Sequence, residues 1–151
     1  MRLSTKTRYG VRAVFDIAYH CGEGSGQVKD IARRQNISPR YLEQIFHKLK
    51  KAGIVKSERG PKGGYALIRS STKITVGDVY RAAEGPFNLV PCKKKSKKCE
   101  QIEDCVAYPV WENITNEVEK IFDNVSIEDL CKVAAKMKVP REVEKKYMYF
   151  I

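Results

Sequence analysis

The stretch from Ile37 to Gly53 is the most tightly punctuated part of the chain and limits its fold more than any other. Ser38 is placed as an N-cap, since its hydroxyl can accept from an otherwise unpaired N–H of the first helical turn. Pro39 follows at the first helical position, where its missing N–H costs nothing. Ile37 and Leu42 stand at the two positions of a hydrophobic staple. Leu42, Ile45, Phe46 and Leu49 make one apolar stripe, and Gly53 is the stop signal. The opposite face is polar and rich in donors: Arg40, Glu43, Gln44, His47, Lys48 and Lys51. Two short β-like runs come next, Ile54 to Ser57 and Tyr65 to Ile68. Between them lies Glu58-Arg59-Gly60-Pro61-Lys62-Gly63-Gly64, a hairpin tip of glycine, proline and cations.

Upstream, the stretch from about Lys6 to Cys21 has helical periodicity, with Gly10, Val14, Ile17, Ala18 and Cys21 on one face. The run Gly22 to Gly26 is a loop, and Val28, Ile31 and Ala32 mark a short second helix ending near Gln35 and Asn36. Downstream, Thr75 and Asp78 stand in capping-box positions before a fourth helix that ends by Gly85-Pro86. Pro109 opens a long helix whose Trp111, Ile114, Val118, Ile121 and Val125 follow 3-4-3-4 spacing, a coiled-coil-like seam. Ser126 and Asp129 open a sixth helix with Ile127, Leu130 and Ala134 apolar. After Pro140 the tail is charged, then apolar from Tyr147 to Ile151.

The resulting expectation is a mainly α fold with a small β-wing: a winged helix-turn-helix unit over residues 1–85, a cysteine-containing loop over 86–107, and a dimerisation helix with a C-terminal helical segment over 108–151. Charge agrees. Residues 1–85 hold 17 Lys/Arg against 7 Asp/Glu, and residues 106–151 hold 7 against 8. A positive field confined to the first half points to a polyanion there. The third helix would lay its polar face in a major groove, with Arg40, Gln44, His47 and Lys48 on base edges or phosphates and Glu43 accepting from a cytosine amine. Arg59, Gly60, Lys62, Gly63 and Gly64 would bring backbone and cation to a minor groove.

Cys92, Cys99 and Cys105 lie close together in an aperiodic segment, and the intervening Lys93, Lys94, Lys95, Lys97 and Lys98 put positive charge beside them. Three thiols on such a segment can converge on one metal or iron–sulfur cluster, and zinc suits the same donors. Cys21 and Cys131 fall on apolar helix faces and are expected in the core.

In combination, Met1-Arg2-Leu3-Ser4, Tyr9, the run Ile37 to Ile45 and the run Arg59 to Tyr65 resemble the Rrf2 family of bacterial regulators, over about residues 1–136. The resemblance implies a homodimeric winged-helix repressor or activator whose long helix crosses its partner. It adds Arg2, Ser38, Pro39 and Tyr41 to the DNA-binding set. Within the family the chain is most similar to the IscR-like branch: Glu43 matches the acidic residue that tunes discrimination between DNA sequences, Gln44 and Arg59 match base-contacting positions, and Cys92, Cys99 and Cys105 match the cluster-ligating cysteines of IscR-like and NsrR-like members. Three departures stand out. Arg40 occupies a position where a small residue is common, so the preferred operator stays open. Tyr108 stands where IscR-like members carry a histidine ligand, and Arg8 where NsrR-like members carry an aspartate. The fourth ligand is therefore open among Glu103, Asp104, Tyr108, a residue of a second subunit, water or a small thiol, and the cluster is open between 2Fe–2S and 4Fe–4S.

The expected function is a homodimeric regulator binding double-stranded DNA and sensing cluster status, redox state or nitric oxide. The alternative is a metal-free regulator of the same fold, controlled by a protein partner or thiol chemistry. An enzyme is not expected: there is no nucleotide-binding glycine motif, no Ser–His–acid set, and two His in all. No run is long and apolar enough for a membrane span, and the N-terminus has no apolar run before a cleavage site. A cytoplasmic chain with no membrane partner is the expectation.

Overall fold

The structure is a computed structural model and describes residues 1–92, 99 and 101–142. Along the chain run α1 (Thr5–Cys21), α2 (Val28–Gln35), α3 (Pro39–Lys51), β1 (Val55–Glu58), β2 (Gly64–Leu67), a 3-10 turn (Ser71–Lys73), α4 (Val76–Glu84), α5 (Tyr108–Asp123) and α6 (Ile127–Lys136).

The helix starts obey local chemistry. Ser38 Oγ accepts from Tyr41 N at 3.2 Å, and Ile37 and Leu42 are both buried as a staple requires. Thr75 with Asp78 and Ser126 with Asp129 form complete capping boxes, each satisfying two backbone N–H donors with the side chain of the other residue. Gly53, at a positive φ of 73°, ends α3.

One core unites α1, α2, α3, β1, α4 and the start of α6. Val14, Ile17, Ile31, Leu42, Phe46, Val55, Val79 and Ile127 all belong to it. The apolar stripe expected on α3 is buried at all four positions. The antiparallel hairpin runs from Val55 opposite Leu67 to Glu58 opposite Gly64, one residue later on each side than the alternation in the sequence suggests for β1 and one earlier for β2. A further pairing extends it: Gly26 N donates to Tyr65 O and Tyr65 N to Gly26 O, both at 2.9 Å, so the α1–α2 loop serves as a third edge of the wing.

Helix α5 packs chiefly on α4, near its own C-terminal end. Tyr80, Phe87 and Phe122 form an aromatic cluster there, with ring centroids 4.0, 5.7 and 5.1 Å apart in successive pairs. Arg81 of α4 reaches Asp123 at 2.6 Å and Glu119 at 2.9 Å. No residue of α5 is buried within the chain.

The segment after α6 folds back on α1. Tyr19 Oη donates to Val139 O at 2.7 Å, Arg141 lies over the Tyr19 ring, and Glu142 N donates to His20 Nδ1 at 3.2 Å. The apolar tail Tyr147 to Ile151, noted in the sequence, lies outside the described residues.

Candidate nucleic-acid interface and thiol segment

The exposed face of α3 holds Arg40, Glu43, Gln44, His47 and Lys48, with Ser38 and Pro39 at its start. Tyr41 is half-buried, its ring edge-on to Tyr9 of α1 at 5.9 Å, and Arg12 lies over Tyr9. The start of the reading helix is thereby set against α1. Lys48 is exposed, yet its ammonium donates to Ala83 O at 3.1 Å, closing the C-terminal end of α4. Arg2 is exposed ahead of α1.

Across the wing, Arg59, Gly60 and Lys62 are exposed and Gly63 is half-buried. Arg59 makes no hydrogen bond or ion pair with the described residues. The tip closes on Gly63 N donating to Gly60 O at 2.9 Å, with Gly60 at φ 109°, a conformation that only glycine adopts freely. Gly63 and Gly64 are also demanded by the fold itself. A Cβ on Gly63 would sit 2.3 Å from Glu58 O, and one on Gly64 would sit 2.0 Å from Gly26 O. The sequence argument for these glycines, approach to a duplex, is thus joined by approach to the chain's own backbone.

Wing and reading helix are joined directly. The Tyr65 ring of β2 stacks on Phe46 of α3, centroids 4.3 Å apart and planes 9° apart. Burial, with Glu43 nearby, holds the Tyr65 hydroxyl above its ordinary pKa, so it stays neutral. Lys50 Nζ adds a 2.7 Å bond to Ser57 Oγ of β1.

A polar cluster that sequence reading missed fixes α2 against α1. Asp16, fully buried on α1, takes two bonds from Arg34 Nε and one of 2.6 Å from Arg34 Nη2, plus one of 2.8 Å from Gln35 Nε2. Arg34 Nη1 bonds Glu142 at 2.7 Å, and Arg33 bonds the same carboxylate. Bonding from Arg33 and Arg34 outweighs partial burial and holds the Glu142 carboxyl at about 2. The available signal was Asp16 itself, an acidic residue set among Ala13, Val14 and Ile17 on a buried stripe. Such a charge requires a cationic partner.

These residues make a winged helix-turn-helix whose third helix and wing expose Arg40, Lys48, Arg59 and Lys62. The sequence profile of the Rrf2 family, described as an iron-dependent transcriptional regulator, matches residues 3–133. The chain belongs to the Rrf2 family. It is 38% identical over 132 residues to the transcriptional regulator IscR of Xenorhabdus nematophila, a span of 87% of this chain and 80% of that one. Among solved structures, IscR of T. potens is 38% identical, with a TM-score of 0.72 over 99% of this chain and 97% of that one. CymR, described as the global cysteine regulator of B. subtilis, is 36% identical, with a TM-score of 0.70 over 88% and 98%. This Rrf2 protein is thus a DNA-binding transcriptional regulator, and its relatives are regulators rather than enzymes.

In this Rrf2 chain each of the five cysteines is a thiol rather than half of a disulfide. Cys92 and Cys105 are half-buried and Cys99 is exposed. Cys105 stands immediately ahead of α5, its carbonyl accepting from Tyr108 N at 3.3 Å. Among the described residues no three His, Cys, Asp or Glu side chains are gathered closely enough to hold a metal ion. The five lysines between the thiols lie outside the described residues. In donor type, three accessible thiols suit an iron–sulfur cluster or zinc. Glu103 and Asp104 are exposed and Tyr108 is half-buried at the start of α5. Cys131 is buried, as expected of a core thiol, and Cys21, half-buried, packs against the main core.

The expected seam of α5 is open within the single chain. Trp111, Ile114, Ile121 and Val125 are exposed and Val118 is half-buried. Among the described residues no helix is long and apolar enough to cross a membrane.

Proposed function

We propose that the protein acts as a cytoplasmic homodimer that binds an operator in double-stranded DNA and changes its affinity with the state of Cys92, Cys99 and Cys105. The reading rests above all on the Tyr65–Phe46 stack, which makes one stiff unit of a donor-rich helix and a basic wing. Two such units would place their α3 helices in major grooves about one helical turn or more apart. Arg40, Glu43, Gln44 and His47 would read bases or bind phosphate, with Ser38, Pro39, Tyr41 and Lys48 setting the helix in place. Arg2, Arg59, Gly60, Lys62 and Gly63 would hold the flanking backbone and minor groove.

The second unit is supplied by α5. Its row of exposed apolar side chains is what a coiled-coil-like crossing would cover. The thiol segment joins α4 to α5, so ligation at Cys92, Cys99 and Cys105 would constrain how α5 leaves the winged-helix unit. When bound, an iron–sulfur cluster supplies a centre that reacts with oxidants and nitric oxide. Signalling then needs only a difference in DNA affinity between ligated and unligated chains; coupling of about 1–3 kcal/mol gives roughly 5–150-fold.

The test is an absorption spectrum with iron and sulfide analysis on protein purified without oxygen, paired with DNA titration of loaded and apo protein. A visible charge-transfer band with comparable iron and sulfide, lost in Cys99→Ala, supports the reading. Equal DNA affinity of the two forms would remove the sensing part. Colourless, iron-free protein that cannot be reconstituted would leave thiol chemistry or a protein partner as the signal, as in the alternative drawn from the sequence.

A further inference from the structure

The wing is held by side chains that no DNA-contact argument picks out. From the α1–α2 loop, Ser25 Oγ donates to Lys62 O and Gln27 Nε2 donates to Pro61 O, each at 2.9 Å. These bonds flank the Gly26–Tyr65 backbone pair, so three consecutive loop residues grip the tip side of the hairpin. The carbonyls they take belong to the turn that carries Arg59 on one side and Lys62 on the other.

Gln27 has a second peculiarity. It is the N-cap of α2, yet its side chain makes no capping bond. Ser, Thr, Asp and Asn are the residues that serve an N-cap well, because their short side chains reach back to the first turn. Glutamine at this position leaves the cap unused, and its amide is aimed at the wing instead. Gly26 between them is itself packed closely: a Cβ there would lie 3.1 Å from Cys21 Sγ and 3.1 Å from Ile31 Cδ1. The loop therefore has a fixed backing on α1 and α2.

We infer that Ser25 and Gln27 are positioning residues for the wing, fixing the angle at which Arg59 meets the duplex. The inference deepens the proposed placing of Arg59 at the minor groove and rests on it. A flexible wing would have to be ordered on binding, and every immobilised rotamer or backbone angle weakens the complex. A wing already tied to the α1–α2 loop has met that cost in the free protein.

The test substitutes Gln27→Ser, alone and with Ser25→Ala, in the full-length protein with and without Arg59→Ala. The probe is a labelled duplex recovered with the wild-type protein from a random-sequence pool. Serine is a better N-cap than glutamine, so Gln27→Ser should leave the melting temperature unchanged or raised while removing the bond to Pro61. The expected result is about three- to tenfold weaker binding with Arg59 present and less than about twofold with Arg59→Ala. A merely structural role would move stability and affinity together, and equally in both backgrounds. Either that outcome or unchanged binding in Gln27→Ser overturns the inference. Should Arg59→Ala alone bind as tightly as wild type, the placing of the wing fails first and takes the inference with it.

Discussion

Tyr65 lies flat against Phe46, 9° from parallel and 4.3 Å away, and this pair packs the wing directly on α3. Phe46 is fully buried, so truncating it to alanine removes core packing outright, a loss of about 3–5 kcal/mol. Tyr65 is only half-buried and offers a cleaner probe. Tyr65→Phe keeps the ring and should leave stability close to wild type. Tyr65→Leu keeps apolar bulk but loses the stack, about 0.5–1.5 kcal/mol. Limited trypsin digestion reads the consequence: cleavage at Arg59 and Lys62 should quicken in Tyr65→Leu and not in Tyr65→Phe. Equal digestion rates would show that β2 is held without the ring.

Beside the aromatic cluster, one guanidinium ties α4 to α5. Arg81 contacts Asp78, Glu119 and Asp123, and its side chain is about a third exposed. Solvent screening limits what it contributes, so Arg81→Met should cost about 1–2 kcal/mol by urea unfolding. Gly77→Ala attacks the same contact from the other side, since the new Cβ would lie 1.9 Å from Asp123 Oδ1. Both variants should loosen α5 and lower stability, and combining them should lose less than the sum of the two. Strict additivity would show that the two substitutions act on separate contacts.

Much of this fold is legible in the sequence because its boundaries are local. Ser38 with Tyr41, Thr75 with Asp78, and Ser126 with Asp129 interact three residues apart, a spacing any sequence displays. The exposed polar face of α3 is legible from the burial stripe of Leu42, Ile45, Phe46 and Leu49, which fixes the opposite face by geometry. What escaped is long-range. Gly26 pairs with Tyr65, Asp16 with Arg34, and Arg34 with Glu142; none shares a periodic signal with its partner. The use of Lys48 on the Ala83 carbonyl was hidden for the same reason, since exposed lysines on a reading helix look alike in sequence. The thiol segment has no periodicity to read, and the spacing of three cysteines states a donor set without a geometry.

Acid should weaken the molecule in two stages, both through the strap that follows α6. His20 is buried on α1 with Asp16, Arg34, Glu142 and Arg141 around it. Burial outweighs the attraction of Asp16 and holds its imidazole below the ordinary 6.5, so it is neutral and Nδ1 accepts from Glu142 N. The unfolded chain takes up this proton at the ordinary value, so stability falls as pH drops from there toward the lower native value. Glu142, held at about 2 against an ordinary 4.5, contributes stability that is full above 4.5 and lost between 4.5 and about 2. Melting temperature against pH should show both slopes. His20→Asn should flatten the upper one and Glu142→Gln the lower; an unaltered profile in either variant would assign the proton uptake elsewhere.

The α5 seam can be tested without disturbing the chain's own core. Ile121 is 64% exposed and Trp111 is 42% exposed. A charge at Ile121 therefore costs a lone chain little, yet it would be buried unpaired in a two-helix crossing. Wild-type protein should sediment as a dimer, and Ile121→Glu should shift it to monomer with helix content unchanged. DNA binding should weaken in parallel, because one reading helix then replaces two. A wild-type monomer would remove the seam as an interface, and a dimeric Ile121→Glu would move the interface off this row.

Thiol chemistry separates the cysteines by environment. Cys131 is buried on α6, and burial, reinforced by Glu128, pushes its thiol up to about 11. The thiolate is the reactive form, so at neutral pH Cys131 should resist alkylation in the folded protein. Cys99 is exposed and has no such shelter. Timed iodoacetamide labelling with mass spectrometry on apo protein should therefore modify Cys99 early and Cys131 only on unfolding. The same labelling on anaerobically purified protein distinguishes ligation from simple exposure. If Cys92, Cys99 and Cys105 hold a metal or cluster together, all three should be protected at once and released at once by a chelator, while Cys131 stays unlabelled throughout. Protection of Cys131 alone, with Cys99 labelled equally fast in both preparations, would show that the three thiols are not a shared site as the protein is isolated.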